Sequence, residues 1–253
     1  MARIISVVNQ KGGVGKTTTA VNLAAAFGLR GLKTLLIDID PQGNTTSGLG
    51  IDKKSLTASS YDVLVNGGKT DDATIKTPFE NLYVVPSSIN LVGAEIEMID
   101  LPDRHDVLKT AIALVAQKYD YILLDCPPAL GLITLNALNA SDRVLVPIQC
   151  EYFALEGLSQ LMSTVRLVKT RYNPSLDLEG ILFTMYDGRL NLTQQVVNEV
   201  KNFFPRKVFA TFIPRSVRLS EAPSYGKPIQ YYDSKNKGAI AYNALCDEIL
   251  KRR

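Results

Sequence analysis

The stretch that decides the fold is Ile4-Ile5-Ser6-Val7-Val8-Asn9-Gln10-Lys11-Gly12-Gly13-Val14-Gly15-Lys16-Thr17-Thr18. Its first five residues are mostly apolar and β-branched and predict a buried strand. Beyond it, apolar residues at the spacing i, i+3, i+4, i+7 predict a helix, and these are Ala20, Leu23, Ala24 and Phe27. Glycines between a strand and a helix let backbone N–H groups converge beside the positive end of the helix dipole. The stretch therefore predicts a phosphate-binding loop.

The loop departs from the usual phosphate-loop pattern in one respect. The pattern G-x-x-x-x-G-K-[ST] requires a glycine where this chain has Gln10, and a second lysine, Lys11, lies before Lys16. Lys16 is placed to reach the β- and γ-phosphates, and the Thr17 hydroxyl to bind Mg²⁺. A dinucleotide-binding G-x-G-x-x-G/A motif is excluded, because its third small residue is missing. The predicted nucleotide-binding residues are Lys11, Gly12, Gly13, Val14, Gly15, Lys16, Thr17 and Thr18.

Acidic residues follow two further apolar segments. Asp38 and Asp40 end the segment that starts at Leu35, and Asp125 ends the apolar run that starts at Tyr121. In an open parallel sheet the ligand crevice lies at the carboxyl ends of the strands, so these carboxylates are expected near the phosphate loop. An apolar strand that ends in Asp is the form of a Walker B carboxylate, which binds Mg²⁺ through water. We therefore expect ATP and Mg²⁺ as cofactors, with Thr17 and Asp125 at the metal.

Strand-like and helix-like segments alternate along the whole chain. This alternation predicts crossover connections and a doubly wound, three-layer α/β fold with a mostly parallel sheet, as in deviant P-loop NTPases. No linker or repeat interrupts the pattern, so residues 1–253 are predicted to form one domain. The predicted strands are 4–8, 34–38, 82–86, 121–125, 143–148, 178–184 and 208–212. Besides the first helix, helices are predicted around Leu158–Val165 and over 107–117, 192–204 and 238–251.

Composition and charge exclude several classes of protein. No apolar run approaches the roughly 18 residues that a membrane-spanning helix needs. Three scattered cysteines do not make a disulfide framework or a zinc site, so a cytoplasmic location is expected. The net charge is +3, but residues 1–164 carry −4 and residues 165–253 carry +7. This asymmetry permits a polyanion-binding surface late in the chain.

Taken together, these motifs resemble the ParA/Soj family of chromosome- and plasmid-partitioning ATPases, within the wider MinD/ParA group. The resemblance covers essentially the whole chain. It rests on KGGVGKTT at residues 11–18, DIDPQGN at 38–44, LDCPP at 124–128, and the stretch 213–223 that opens with Ile213-Pro214-Arg215.

The resemblance implies roles for individual residues of the nucleotide site. Lys11 looks like the signature lysine that reaches a partner subunit's nucleotide, and Gly12 allows the two loops to approach. Asp40 looks like the switch carboxylate that positions the attacking water. With Lys16, these two make up the implied catalytic set Lys11, Lys16 and Asp40. Asp125 holds the Mg²⁺ shell with support from Asp38. The loop of Pro214, Arg215 and Ser216 resembles the one that lines the adenine.

The resemblance also implies partners. Arg189 and Arg218 lie where chromosomal members of the family carry arginines that bind double-stranded DNA without sequence preference. The implied cycle is an ATP-dependent homodimer that binds the nucleoid and is dissolved when a ParB-type centromere-binding protein stimulates ATP hydrolysis. Whether a chromosome or a plasmid is served stays open.

The alternative is a MinD-like membrane-associated regulator of the division site. It requires a C-terminal basic amphipathic helix that is free to lie on lipid. Ala241, Ala244, Leu245 and Ile249 form only a modest apolar stripe, without an aromatic residue, so packing in the core is predicted instead and no membrane is expected. A nitrogenase-reductase-like electron carrier is a remote reading, because Cys126 and Cys150 do not have the placement of cluster ligands.

Overall fold

The computed structural model describes residues 1–252, which form a seven-stranded sheet with helices on both faces. The strands are β1 (Arg3–Val7), β2 (Thr34–Asp38), β3 (Ile75–Lys76), β4 (Leu82–Val85), β5 (Tyr121–Asp125), β6 (Arg143–Gln149) and β7 (Asp177–Thr184). The helices are α1 (Lys16–Gly28), α2 (Asn44–Gly48), α3 (Ser60–Leu64), α4 (Leu91–Glu97), α5 (Val107–Ala113), α6 (Leu132–Ala140), α7 (Ala154–Arg171), α8 (Asn191–Phe203), α9 (Val217–Glu221), α10 (Ile229–Tyr232) and α11 (Lys237–Lys251).

The strand order confirms the predicted doubly wound architecture. The order across the sheet is β3-β4-β2-β5-β1-β6-β7, and every neighbouring pair is parallel except β3 with β4. β1 therefore lies between β5 and β6 near the centre of the sheet. The carboxyl ends of β1, β2 and β5 meet at one edge, since Val7 and Asp38 are both in register with Asp125.

Two apolar layers hold the helices on the sheet. Alternate residues of one strand enter opposite layers: Ile122 and Leu124 pack in one, and Tyr121 and Leu123 in the other. The first layer lies under the helices from α3 to α8, and the second lies under α1 and the helices from α9 to α11. Strands that are buried on both faces explain why the apolar runs of the sequence are nearly continuous.

One predicted strand, residues 208–212, is wrong. This segment runs beside β7 and makes one isolated bridge, from Ile181 to Val208. The Phe209 N–H still donates to the Ile181 carbonyl oxygen at 3.0 Å, but the N–H groups of Ala210 and Thr211 donate to the carboxylate of Glu248 on α11, at 2.8 and 3.0 Å. A side chain thus takes the hydrogen bonds that a strand would have made with the edge of the sheet.

The last helix, α11, packs into the core as predicted. Tyr242, Leu245, Cys246 and Ile249 are buried in the layer that also holds α1. The buried face differs from the predicted stripe, since Ala244 is exposed and Tyr242 is buried. Among residues 1–252, no helix combines the length and the apolar character needed to cross a membrane.

Candidate functional site

The glycine-rich loop lies between β1 and α1, as predicted. Helix α1 begins at Lys16, and its N-cap residue Gly15 has φ +86°, in the left-handed region. Gly13 has φ +74°. Glycine adopts these angles without the steric cost that other residues meet, so the sequence can fold the loop tightly around the start of the helix. The first-turn N–H groups of α1 consequently face the loop, where an anion is favoured.

Side chains from distant strands fix the shape of the loop. The Thr184 hydroxyl, at the end of β7, donates to the Val14 carbonyl oxygen at 2.7 Å. Gln149, at the end of β6, donates through Nε2 to the Gly13 carbonyl oxygen at 3.0 Å. Neither residue was predicted from the sequence, because each lies more than 130 positions away from the loop.

The two lysines of the loop have different surroundings. Lys16 is buried, and its Nζ donates to the backbone carbonyl oxygen of Lys11 at 3.1 Å. Burial lowers the pKa of Lys16, and the nearby carboxylates of Asp125 and Asp40 oppose that shift. The Lys11 side chain is exposed and pairs with Glu151 in the segment after β6. One lysine therefore faces the interior of the loop, and the other lies on its outer surface.

Gly12 leaves the outer side of the loop open. A Cβ atom placed there would meet no atom within 4 Å. The subunit itself therefore does not require glycine at this position for space.

Two buried carboxylates lie side by side below the loop, at the ends of β2 and β5. Asp38 Oδ2 accepts hydrogen bonds from the Thr46 backbone N–H at 2.9 Å and from the Thr46 hydroxyl at 2.6 Å. Asp125 Oδ2 accepts from the Thr45 hydroxyl at 2.8 Å. Both threonines belong to the short helix α2, which follows the DIDPQGN motif, and neither was identified from the sequence. They hold the carboxylates in place.

The electrostatics of this pair suit a bound cation. Burial and the charge of Asp125 raise the pKa of Asp38. Burial also raises the pKa of Asp125, although the hydrogen bond from Thr45 and the nearby Thr17 hydroxyl lower it in part. Asp125 Oδ1 accepts no hydrogen bond of ordinary geometry within residues 1–252. Mg²⁺ in phosphate-binding sites is held by one or two protein oxygens together with waters and phosphates, so an uncommitted carboxylate oxygen and the Thr17 hydroxyl fit that ion.

Asp40 lies in the turn after β2 and is largely buried. Its Oδ1 accepts from the Gln42 backbone N–H at 2.9 Å, and its carbonyl oxygen accepts from the Ser87 hydroxyl at 2.6 Å. The Ser87 backbone N–H in turn donates to the Thr46 hydroxyl at 2.9 Å. The turn is thus tied to the residue that holds Asp38.

A cleft of about 450 Å³ opens beside the loop. Gly15 and Thr18 line one wall, and the predicted adenine loop, Pro214 to Ser216, lines another. Thr184, Met185 and Tyr242 also line the cleft, together with residues of the segment from Ile213 to Pro223. The cleft is mostly apolar and adjoins the first turn of α1, so it can accept a flat base whose phosphates enter the glycine loop.

The two predicted DNA-binding arginines lie on the surface. Arg189 follows β7, and its side chain is 89% exposed and pairs with Asp187 at 2.6 Å. Arg218 lies on α9 and pairs with Glu221 at 2.9 Å. Neither side chain contacts the glycine loop. Exposed pairs of this kind contribute little to stability, so the arginines remain available to another anion.

Comparison with known proteins identifies relatives across the whole chain. A family model described as "AAA domain" matches residues 2–178. The chain is 55% identical over 249 residues to the "Sporulation initiation inhibitor protein Soj" of Bacillus subtilis and covers 98% of each chain. It is 52% identical to the "Chromosome partitioning protein ParA" of Myxococcus xanthus, covering 89% of that protein. It is 51% identical to the "Chromosome-partitioning ATPase Soj" of Treponema pallidum, covering 98% of that protein.

Solved structures share the fold, and one of them contains ADP and magnesium. The "Cobyrinic Acid a,c-diamide synthase" of Mycobacterium smegmatis, solved with ADP and magnesium, is 37% identical and superposes with a TM-score of 0.88 over all of this chain and 95% of that one. The cell division ATPase MinD of Pyrococcus furiosus is 30% identical, with a TM-score of 0.82 over the full length of both chains. Similar structures solved with an adenine nucleotide and magnesium confirm the prediction of ATP and Mg²⁺ as cofactors. By its loop, its carboxylates and its relatives, the chain belongs to the ParA/Soj family of chromosome-partitioning ATPases.

Proposed function

We propose that this ATPase is a DNA-binding switch that partitions a chromosome or a plasmid. In its ATP-bound form two copies associate through their glycine loops, and the dimer binds double-stranded DNA without reading its sequence. A ParB-type centromere-binding protein stimulates hydrolysis, after which the dimer separates and leaves the nucleoid. In this scheme the protein is cytoplasmic and associates with the nucleoid only while ATP is bound.

The arrangement of the two loop lysines carries this proposal. Lys16 is committed to the interior of its own loop, whereas the Lys11 ammonium lies outside it. One set of phosphates needs one loop lysine, so the second is available to the phosphates of a neighbouring subunit. The open space at Gly12 permits that neighbour to come close. Together they support a dimer in which the nucleotide forms part of the interface.

The chain supplies the remaining groups for ATP hydrolysis. Bound Mg²⁺ neutralises phosphate charge and orients the phosphates. The Thr17 hydroxyl and the Asp125 carboxylate would hold the metal, and Asp38 would support Asp125. Asp40 orients the attacking water. Hydrogen bonds from Thr45 and Thr46 hold the carboxylates of Asp125 and Asp38, and the Ser87 hydroxyl holds the backbone carbonyl oxygen of Asp40, before the nucleotide arrives.

DNA binding is assigned to Arg189 and Arg218. Both are exposed on the basic part of the chain, and the side chains of their acidic partners Asp187 and Glu221 are partly exposed, at 31% and 38%, so a DNA phosphate can reach the arginines and replace these partners. Dimerisation doubles the number of phosphate contacts. Because each contact releases counterions, affinity rises steeply with their number.

The MinD-like alternative depends on a C-terminal helix that is free to bind lipid. The apolar face of α11 is instead buried against α1, and the Tyr242 hydroxyl lies 3.2 Å from the Thr19 hydroxyl. This helix is therefore built into the core, and the partitioning function is favoured.

One experiment tests the proposal as a whole. The mass of the protein is measured by light scattering with no nucleotide, with ADP and with ATP, each with Mg²⁺, and mobility shifts on two unrelated DNA duplexes are run in parallel. We expect a dimer and a DNA complex only with ATP. A protein that stays monomeric with ATP, or that binds DNA equally well without it, contradicts the proposal.

A further inference from the structure

An apolar groove runs between α7 and α8, on the opposite face of the sheet from α1. It consists of two adjoining cavities of about 560 and 400 Å³, which share Leu155, Glu156 and Glu199. We call it the α7–α8 groove. It extends along α7 from the aromatic pair Tyr152 and Phe153 to Arg166, a distance of roughly 20 Å at the rise of an α-helix.

Large apolar side chains are exposed along this groove. Tyr152 and Phe153 are 78% and 65% exposed at one end, and Phe203 is 69% exposed at the other. Leu192, which lines the same cavity as Tyr152 and Phe153, is also exposed. Exposed apolar side chains that are grouped along a groove, and not scattered singly, indicate a binding surface.

Two unpaired acidic side chains lie at the middle of the groove. Glu156 and Glu199 are exposed, and within residues 1–252 neither forms an ion pair or a side-chain hydrogen bond. Carboxylates beside an apolar surface attract a partner that presents cationic groups next to apolar ones. They repel anionic lipid and nucleic acid for the same reason.

We propose that the α7–α8 groove binds a basic amphipathic helix of about 14 residues from the protein that stimulates the ATPase. Such a helix has the length of the groove, places its apolar face against the exposed aromatic side chains, and brings Lys or Arg to Glu156 and Glu199. This inference rests on the proposed function, because it gives the stimulating partner a docking surface.

The position of the groove gives docking a route to the nucleotide site. Gln160, on α7, accepts a hydrogen bond at 2.7 Å from Gln10 of the glycine loop. Glu151, which pairs with Lys11, immediately precedes Tyr152. A partner that displaces the start of α7 therefore acts on two side chains that hold the loop.

The direct test uses a synthetic peptide of about 14 residues with leucines at the spacing i, i+3, i+4, i+7 and lysines elsewhere. Its binding to the full chain is measured by fluorescence anisotropy. A second peptide with glutamates in place of the lysines controls for non-specific apolar binding. We expect the lysine peptide to bind at least about tenfold more tightly than the glutamate peptide. Equal binding of the two peptides overturns the proposal.

Two matched pairs of variants locate the binding surface. The first pair tests charge. A double variant with Glu156→Lys and Glu199→Lys should bind the lysine peptide about tenfold more weakly than the parent. Its control, a double variant with Asp72→Lys and Asp100→Lys, reverses two exposed charges elsewhere and should bind the peptide like the parent. Phe203→Ser should weaken peptide binding about fivefold, whereas Leu114→Ser, also at an exposed apolar residue, should not. Groove variants that bind like the parent overturn the proposal.

The final measurement separates this inference from the proposed function. Stimulation of ATP hydrolysis by a ParB-type protein should be lost in the Glu156→Lys, Glu199→Lys double variant, while basal hydrolysis and ATP-dependent DNA binding remain. Full stimulation of that variant refutes the docking site and leaves the switch intact; absence of ATP-dependent DNA binding in the parent refutes the switch itself. If sedimentation of the nucleotide-free protein shows a dimer that Phe203→Ser abolishes, a second copy occupies the groove and the proposal is wrong.

Discussion

The Lys16 ammonium donates a hydrogen bond to the backbone carbonyl oxygen of Lys11, 3.1 Å away, while the Lys11 side chain turns outward to Glu151. A single short loop thereby provides one cation to its own interior and another to its surface. The consequences for nucleotide binding and for association of subunits can be measured separately.

The first prediction concerns nucleotide binding. Lys16→Ala removes the buried cation that faces the phosphates, and a lost hydrogen bond to a charged group costs about 1.5–3 kcal/mol, so ATP affinity should fall at least about tenfold. Calorimetry with Mg²⁺ and ATP measures this. Lys118→Ala, which removes an exposed lysine paired with Asp71, serves as the control and should bind ATP normally. Undiminished affinity in Lys16→Ala would remove the basis for the assignment of the loop.

The second prediction concerns the outer face of the loop. Lys11→Ala should bind ATP but remain monomeric, because the charge that offsets repulsion from the partner's phosphates is lost. Gly12→Val should have the same effect by blocking close approach, and it should fold normally, since the subunit has room for a side chain there. Light scattering with ATP, alongside calorimetry, distinguishes the two steps. A Lys11→Ala protein that dimerises like the parent would show that the lysine does not act across the interface.

The third prediction concerns hydrolysis. Asp40→Ala removes the carboxylate that we propose orients the attacking water, and it leaves the proposed phosphate contacts in place. It should therefore accumulate as an ATP-bound, DNA-binding dimer, with turnover reduced about a hundredfold or more. Single-turnover assays and light scattering in the same samples test this. A monomeric Asp40→Ala protein would contradict the role given to this residue.

The fourth prediction concerns DNA. Arg189→Glu and Arg218→Glu should each weaken DNA binding and reduce its dependence on salt, because fewer counterions are released, while dimerisation with ATP is retained. Lys69→Glu, a reversal at an exposed lysine elsewhere, is the control. Mobility shifts at two salt concentrations give the slopes. If both arginine variants bind DNA like the control, the DNA-binding surface lies elsewhere.

The fifth prediction concerns the threonines under the metal site. Thr46→Val removes the 2.6 Å hydrogen bond to the buried Asp38 carboxylate and should lower the free energy of unfolding by about 1–3 kcal/mol. It should also raise the Mg²⁺ concentration needed for half-maximal hydrolysis, and Thr46→Ser should restore both properties. Thr77→Val, which removes a buried hydroxyl that donates to a backbone carbonyl far from the site, should lower stability without changing the Mg²⁺ requirement. An unchanged Mg²⁺ requirement in Thr46→Val would limit the residue to a structural role.

Local pattern was enough to predict the loop, the parallel strands and the edge at which the carboxylates gather. Each of these features depends on residues that are consecutive in the sequence, as in the run from Ile4 to Thr18. The contacts that hold the loop were not predictable in this way, because Thr184 and Gln149 reach it only after the chain has folded. The two-residue strand β3 is too short to leave a periodic signal, and the segment 208–212 has the composition of a strand although Glu248 takes its hydrogen bonds.

The threonines show a further limit of sequence patterns. Thr45 and Thr46 follow an acidic motif that was recognised, but a threonine in a loop gives no indication of the atom to which it will donate. Their role emerges only from the register that places Asp38 beside Asp125. The α7–α8 groove was not anticipated, because it is formed by two helices that are separated in the sequence by β7.

The course of α11 has a practical consequence for single-molecule work. The helix starts near the nucleotide cleft, where Tyr242 lies beside Thr19, and ends at the opposite edge of the sheet, where Arg252 donates to the Val208 carbonyl oxygen at 3.0 Å. A fluorophore attached at the exposed Lys251 therefore lies roughly 20 Å from the start of this helix and clear of the glycine loop. A protein that is labelled at Lys251 can be followed by microscopy on surface-attached DNA, and the label leaves the nucleotide site and the α7–α8 groove unobstructed.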